Sequence, residues 1–424
     1  MHKAQFVLVV LMLPLLVGCT LFGETPTPLA WQPTSAPTAV SQEIRPTSTA
    51  PPLPPRAASP TAALTPTPTP SAPSPSPTPA ITEQAISVEV PHAGQTVTNP
   101  IHIQGHATIY PFEGTFLARV YDSDERLIAE VPIMAQGEPG GPASFTAEVY
   151  YGGHPGAGRL AILELSPRDG SVVAVTSVAL VLRGPPGGGL IEMPQPLEKV
   201  TLPIKLLARV ARPDTDVSVT VRWQDGTQFA HEFHTLAGLD GRGLIIVPLD
   251  FVDNTHAQPS TQDGALMIHD LQGTLLAYQP VHILHPTDPR TMSTQVFWVK
   301  DGTVMPQPRQ IPRTPGIGRA SLELLLWGPV PQNPEGYTTA LPLPADVLTY
   351  PGRGPEWGER VRLLDLRIVD RVAYADFSAE LRAHAGGAEQ VVLMRTQIEQ
   401  TLLQFPTVDQ VVITVEGQTG WLEP

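Results

Sequence analysis

"VEVPHAGQTVTNPIHI", residues 88–103, and "IEMPQPLEKVTLPIKL", residues 191–206, are two versions of one stretch. Glu89 and Glu192, Pro91 and Pro194, Val97 and Val200, Thr98 and Thr201, Pro100 and Pro203, and Ile101 and Ile204 all correspond, because Ile191 follows Val88 by 103 residues. The same offset returns downstream, where "LELSPRDGSVVA" from Leu163 meets "LMIHDLQGTLLA" from Leu266. A period of about 100 residues is too long for a stacked solenoid repeat and implies two whole units of one kind. Inside them, alternating stretches such as "TFLARVYD", "ASFTAEVYY", "AVTSVALVL" and "VSVTVRWQ" are separated by Gly, Pro and Asp turns. Short alternating strands at that density predict tandem all-β sandwiches, at residues 84–184 and 187–288. Between them "RGPPGGGL", Arg183 to Leu190, lacks the spacing of a dinucleotide loop and reads as an interdomain hinge.

After His285 the pattern changes. "STQVFWVKDG" reads as a strand, and "IGRASLELLLWGP" as a helix burying Leu322, Leu325 and Leu326 before Gly328-Pro329 stops it. "VRLLDLRI" and "RVAYADF" form a strand pair across Val369 to Arg371. In "EQVVLMRTQIEQTLLQF", Val391, Met394, Ile398, Leu402 and Phe405 recur at helical spacing, and "QVVITVEG" closes as a strand. Residues 293–424 are therefore expected to form a small α/β domain in the order β-α-β-β-α-β that folds without help from the β units.

Two of these segments resemble known families. "P-x-x-G-x-x-V-x-x-P" from Pro91 and "FEGTFLARVYD" from Phe112 resemble the immunoglobulin-like domain of bacterial spore germination, over about Ile86 to Leu182. The second copy lacks the "FEGT" stretch, so its immunoglobulin-like assignment rests on the internal repeat. "LELLLWGP", "ALPLPADV", "VAYADFSAEL" and above all "QTLLQFPTVDQVVITVEG" resemble the GerMN domains of sporulation and spore germination, over Gln295 to Gly417. "TYPGRGPEWGER", Thr349 to Arg360, is a longer connection than that family usually has. The resemblance implies an accessory role in assembly, outside the membrane and without catalysis.

The start of the chain says how it would get there. A basic Met1–Lys3, an apolar Phe6–Val17 and the small pair Gly18-Cys19 have a secretory layout, giving a signal peptide over residues 1–18. The apolar run is shorter than the roughly 20 residues that span a bilayer. "LVGC", residues 16–19, resembles the lipobox of bacterial lipoproteins, which implies that Cys19, the single cysteine of the chain, is acylated and holds the protein to a membrane. Two or more acyl chains anchor stably where one does not. Residues 19–83 then run through Pro, Thr, Ser and Ala, a composition with too little to bury and too few backbone donors to fold, and read as a disordered linker.

Composition narrows the function. A formal net charge of −14 without a basic cluster argues against nucleic acid. No nucleophile elbow of the G-x-S-x-G kind is present. His102 and His106 in "HIQGH" share a strand face, and His231 and His234 lie in "HEFH", but neither pair fits a metal motif and no third ligand suggests itself. Asp365 and Asp376 fall on neighbouring strands, where a carboxylate pair for acid–base chemistry is possible in principle, but Asp376 is rather expected to cap the segment after it. Trp298 and Trp327 sit in apolar runs and read as core, whereas Trp357, in a polar loop, reads as an exposed aromatic that could bind a ligand. The expectation is a lipoprotein of the cell envelope, without catalytic residues, metal or cofactor, meeting envelope proteins through residues 293–424. The alternative is a lipoprotein that binds cell-wall glycan or another ligand.

Overall fold

Alternation is the feature that builds the first β unit. Along β3 (Ile101–Ala107) buried and exposed side chains alternate without a break, so one face of the strand is apolar and must be covered. β3 lies among β1 (Ile86–Val90), β2 (Thr96–Val97), β4 (Thr115–Tyr121), β5 (Leu127–Gly137), β6 (Ala143–Val149), β7 (Gly156–Leu165) and β8 (Val172–Leu182). The strand order is β1-β3-β6-β5-β4-β7-β8-β2. β5 pairs with β4 along its first part and with β6 through Ala135–Gly137, so this one strand passes from one sheet to the other. The two sheets close on Ile101, Ile103, Phe116, Val120 and Ile162, with the rings of Phe116 and Phe145 5.2 Å apart. The computed structural model describes residues 83–250, 262–331, 335–384 and 386–422, all within one compact unit, Pro77–Pro424. The expected signal segment, Cys19 and the expected linker as far as residue 82 lie outside the described residues.

The internal repeat reappears as a repeated topology. The second β unit consists of β9 (Leu190–Met193), β10 (Glu198–Val200), β11 (Ile204–Val210), β12 (Asp216–Trp223), β13 (Gln228–His234), β14 (Leu236–Ala237), β15 (Gly243–Leu249), β16 (Asp263–Asp270) and β17 (Leu275–Ile283). Its sheets run β10-β17-β16-β12-β13 and β14-β15-β11-β9. β9, β10 and β11 take the places of β1, β2 and β3, and the hairpin β16–β17 that of β7–β8. The place of the bent β5 is shared by two strands, β13 and β14. Ile204 and Leu206 pack against Val219, Val221 and Ile268 in a second core.

The glycine-rich connector does not swing free. Gly187 and Gly189 donate their N–H groups to the carbonyls of Leu275 and Leu276, at 3.2 and 2.8 Å. A Cβ on Gly187 would stand 2.8 Å from the Leu276 Cα. These glycines permit a close approach of backbone to β17; a hinge would have left them clear of it.

The last segment has β18 (Thr291–Lys300), β19 (Thr303–Pro312), α1 (Ile317–Trp327), α2 (Pro344–Thr349), β20 (Leu363–Val369), β21 (Val372–Phe377), α3 (Ala388–Leu403) and β22 (Gln410–Val415). Compared with the order read from the sequence it gains a second strand, β19, and a short helix, α2. In the three-stranded sheet β20-β21-β22, β21 is antiparallel to β20 and parallel to β22. Leu322 and Leu325 of α1 and Met394, Ile398 and Leu402 of α3 share a third core with Ala373, Ala375 and Phe377. Both long helices therefore lie on one face of that sheet. Gln397, fully buried in α3, donates to the Phe297 carbonyl at 3.0 Å and accepts from the Ala340 N–H at 2.8 Å. That satisfies backbone groups the core would otherwise strand.

Candidate functional site

Because the helices cover one face of β20-β21-β22, side chains of the other parity face outward. Asp365 stands opposite Asp376, Arg367 opposite Tyr374, and Val369 opposite Val372; on the far side Tyr374 and Asp376 neighbour Val412 and Thr414. The Arg367 guanidinium lies 5.1 Å from the Tyr374 ring centroid. Val369 on this face, and Leu364 and Ile368 on the same strand, are exposed. Among the described residues β20 has one hydrogen-bonded neighbouring strand, so its second side is an edge.

The two aspartates meet, though in a different role from the one expected. Asp376 Oδ1 accepts from the Thr414 hydroxyl at 2.6 Å and from the Gly417 N–H at 2.8 Å, so it ties β21 to β22 and does not cap the turn that follows. The N-cap position of that turn, Ala379–Arg382, is Ser378, whose hydroxyl instead accepts from the Arg362 N–H at 2.9 Å.

Trp357 is not exposed: it is a core residue, 6% accessible, and the reading of it as a surface aromatic is corrected. The loop "TYPGRGPEWGER" looks polar, but its two aromatic residues fold onto each other, Tyr350 stacking on Trp357 at 5.6 Å with an interplanar angle of 7°. Arg353 then reaches across to donate to the Trp357 carbonyl at 2.8 Å. Trp298 and Trp327 are buried as expected. Among the described tryptophans the exposed one is Trp421, 47% accessible, with the Arg382 guanidinium 3.9 Å above its ring. Sequence reasoning passed over it, although an aromatic in the Gly- and Thr-rich tail "GQTGWLEP" was the available signal.

Directly after Trp357 the loop clasps the second β unit. The Gly358 N–H bonds to Glu380, a buried carboxylate. The Glu359 carboxylate takes both outer nitrogens of Arg209, at 3.1 and 2.7 Å, and the N–H of Leu239 at 2.8 Å. Arg209 of β11 also binds Glu192 at 2.7 Å and Asp240 at 3.2 Å, and its hydrogen bonds to Glu359 first, and then to Glu192, hold its guanidinium well above its ordinary pKa. Arg360 lies over the Trp327 ring at 5.2 Å, and Trp327 packs with Leu244 and Ile246 of β15. Lys205 meets Glu323 at 3.5 Å, and the Thr201 hydroxyl donates to the Gln310 carbonyl at 2.8 Å. The segment bearing the open sheet face is thereby held on the second β unit in one orientation.

The histidines do not converge. His102 lies 3.3 Å from Glu148 and His106 3.0 Å from Glu89, so each engages a different strand neighbour. His231 and His234 point to opposite faces of β13, as the alternation of that strand requires. No group of three potential metal ligands occurs among the described residues. Between the first and second β units lies a cleft of about 590 Å³, lined by Leu117, Val131, Tyr150, Arg222, Met267 and Tyr278 among others. The rings of Tyr150 and Tyr278 are 5.1 Å apart, and burial pushes the Tyr278 phenol up to about 12. Beside the cleft, the fully buried Gln279 accepts from the Gly153 N–H at 3.1 Å and donates to the Pro194 carbonyl at 2.8 Å.

Comparison with known proteins agrees with two of these segments. Residues 85–171 match the family described as the immunoglobulin-like domain of bacterial spore germination, and residues 295–420 the family described as sporulation and spore germination. No curated protein matches the chain in sequence. Among solved structures, the tandem GerMN domains of the sporulation protein GerM from Bacillus subtilis share 20% identity at a TM-score of 0.24, over 31% of this chain and 41% of that one. The first GerMN domain of the same protein shares 21% identity at a TM-score of 0.24, over 30% of this chain and 86% of that one. The chain thus spans about two fifths of the tandem-domain structure. It carries an immunoglobulin-like domain of the bacterial spore-germination type at residues 85–171 and a sporulation and spore germination domain at residues 295–420.

Proposed function

We propose that this chain is a lipid-anchored, extracytoplasmic assembly protein of the cell envelope, related to spore germination, that works by surface contact and not by catalysis. In this reading residues 1–18 are a cleaved signal, Cys19 carries the lipid, and residues 19–83 are a Pro-, Thr- and Ser-rich linker. Immunoglobulin-like sandwiches at 84–184 and 187–288 then support a GerMN-like domain at 293–424. The observation that carries the proposal is the outer face of β20-β21-β22, which the helices leave open and which Arg209 and Glu359 hold in fixed orientation. Arg367, Tyr374 and Val412 offer it a cation, an aromatic ring and an apolar centre, residue types common in protein contacts. An open β20 edge adds free backbone groups for a partner strand.

The test is a double variant, Tyr374→Glu with Val412→Glu, in the full chain used as bait against envelope extract. The set of proteins retained by the unaltered chain is expected to be lost while the melting temperature stays within a few degrees. Retention unchanged by the double variant would overturn the contact surface. Peptidoglycan turnover abolished by Asp365→Asn with Asp376→Asn would overturn the non-catalytic reading.

No helix among the described residues is long and apolar enough to cross a membrane; the proposed anchor is the lipid on Cys19. Cys19→Ala is expected to move the protein from the membrane fraction to the soluble one. A variant that stays with the membrane through a high-salt wash would contradict acylation.

The cleft between the two β units favours a second reading, a lipoprotein that binds glycan or another ligand. Its paired tyrosines and apolar lining suit the flat face of a sugar. Retention of the purified protein on peptidoglycan, lost in Tyr278→Ala, would favour that reading over the first.

A further inference from the structure

The register of the second β unit lays out the floor of the cleft that it forms with the first. On the face of β12, β16 and β17 turned away from their own core, Thr220, Met267 and Tyr278 lie in one row and Arg222, Ala265 and Pro280 in the next. Arg222 and Tyr278 therefore stand two strands apart, roughly 10 Å between backbones, with Ala265 and Met267 between them. Leu117 of β4 and Pro132 of β5, opposite each other in register, line the other side. The walls meet where Tyr150 of the first unit touches Tyr278, with ring centroids 5.1 Å apart. They are also fixed, because Gln279 joins Gly153 to Pro194 and a Cβ on Gly152 would collide with it. At about 590 Å³ this preformed space has the size of a small-molecule site.

Its charges are unevenly matched. Among the described lining residues two carry carboxylates, and each is already met, Glu130 by Arg119 at 2.7 Å and Asp263 by His282 at 2.6 Å. Arg222 is the one arginine or lysine of that lining; it is exposed, and no carboxylate among the described residues pairs with it. Burial pushes the Tyr278 phenol up to about 12 and lowers the pKa of His269, so both are uncharged at neutral pH and neither offsets the guanidinium. The chain as a whole is acidic, but charges beyond about 10 Å are screened at 0.1 M salt, so the neighbouring groups decide what the cleft attracts. They leave one unmatched cation.

We infer that the cleft takes an acidic sugar, with its carboxylate or phosphate on Arg222 and the apolar face of its ring over Ala265 and Met267. The arrangement selects that class through three features together. An unpaired guanidinium suits an anion, the apolar floor between it and Tyr278 has the span of one ring, and the His269 imidazole and Tyr278 phenol offer hydrogen bonds to ring hydroxyls. This inference rests on the second reading above and narrows it from any ligand to an anionic one.

The test uses the purified full chain in mild detergent at about 0.15 M salt, with binding of glucuronate, glucose 6-phosphate and glucose read by saturation-transfer NMR. The acidic sugars are expected to bind at least about fivefold more tightly than glucose, since a charge-assisted contact is available to them alone. The tighter of the two names the anion. Arg222→Gln is expected to bring both down to the level of glucose with the melting temperature unchanged, because Arg222 is exposed. Tyr278→Ala should weaken all three. Glucose bound as tightly as the acidic sugars, or a preference that Arg222→Gln leaves intact, would overturn the inference; if Tyr278→Ala still weakened binding, the glycan reading itself would stand. No binding of any probe would overturn the inference as well, and retention on peptidoglycan would then decide the glycan reading separately.

Discussion

Replacing Arg209 by Ala is expected to remove on the order of 3 kcal/mol of stability and to make the C-terminal segment melt separately from the second β unit. Three carboxylates converge on this one guanidinium, from Glu192, Asp240 and Glu359, and Glu359 is only 10% exposed. Removing the cation leaves them facing one another with no counter-charge, and the cost is set less by the lost hydrogen bonds than by the Glu359 carboxylate left poorly solvated. The C-terminal segment has its own core around Trp298, Leu322 and Phe377. Loss of the clasp should therefore uncouple two folded bodies and leave both structured. Urea unfolding followed by tryptophan fluorescence should change from one transition to two. Arg209→Lys should recover less than half of the loss, because an ammonium cannot hold Glu359 through two parallel bonds while also reaching Glu192. A loss below about 1 kcal/mol would mean that the cluster behaves as a solvated surface pair, and the fixed orientation of the open sheet face would lose its support.

The parts of this molecule legible in the sequence are those written as periodicity. The offset of 103 residues between Val88 and Ile191 shows itself as two β units of matching strand order, and the spacing of Val391, Met394, Ile398 and Leu402 as the buried face of α3. β19 was missed because Pro306, Pro308 and Pro312 argue against a strand. They are tolerated because β19 pairs with one strand among the described residues, so the alternate N–H positions on its other side have no ladder to join. The signal that could have found the hairpin was Asp301-Gly302, both at positive φ, 51° and 74°, the pair that a two-residue turn between twisted strands prefers.

The clasp was hidden for a different reason. Arg209 and Glu359 are 150 residues apart, and neither sits in a pattern that marks it, since Arg209 takes an ordinary polar position on an alternating strand. Glycines misled in the same way. In "RGPPGGGL" composition suggests freedom, whereas Gly187 is there because Leu276 leaves no room for a side chain. Local sequence reports what a residue can do, and the tertiary neighbour decides which of those properties is used.

Trp357 makes that distinction measurable. An exposed binding aromatic, as the polar loop suggested, could be truncated at a cost within about 0.5 kcal/mol of stability, with ligand binding lost. The structure predicts the reverse. Trp357 belongs to the core that holds Trp298, Leu325 and Phe377, and Trp357→Ala leaves a cavity there, for an expected loss of about 3–5 kcal/mol. The substitution also frees Tyr350 from its stack and loosens the turn that delivers Gly358 to Glu380 and Glu359 to Arg209. Its effect should therefore overlap that of Arg209→Ala. The double variant is expected to lose less than the sum of the two single losses, by at least about 0.5 kcal/mol, the mark of residues acting through one loop. Trp357→Phe should keep most of the stability by filling much of the same space. A Trp357→Ala chain with an unchanged melting temperature and a lost ligand would restore the surface role and remove the loop as the link between the core and the clasp.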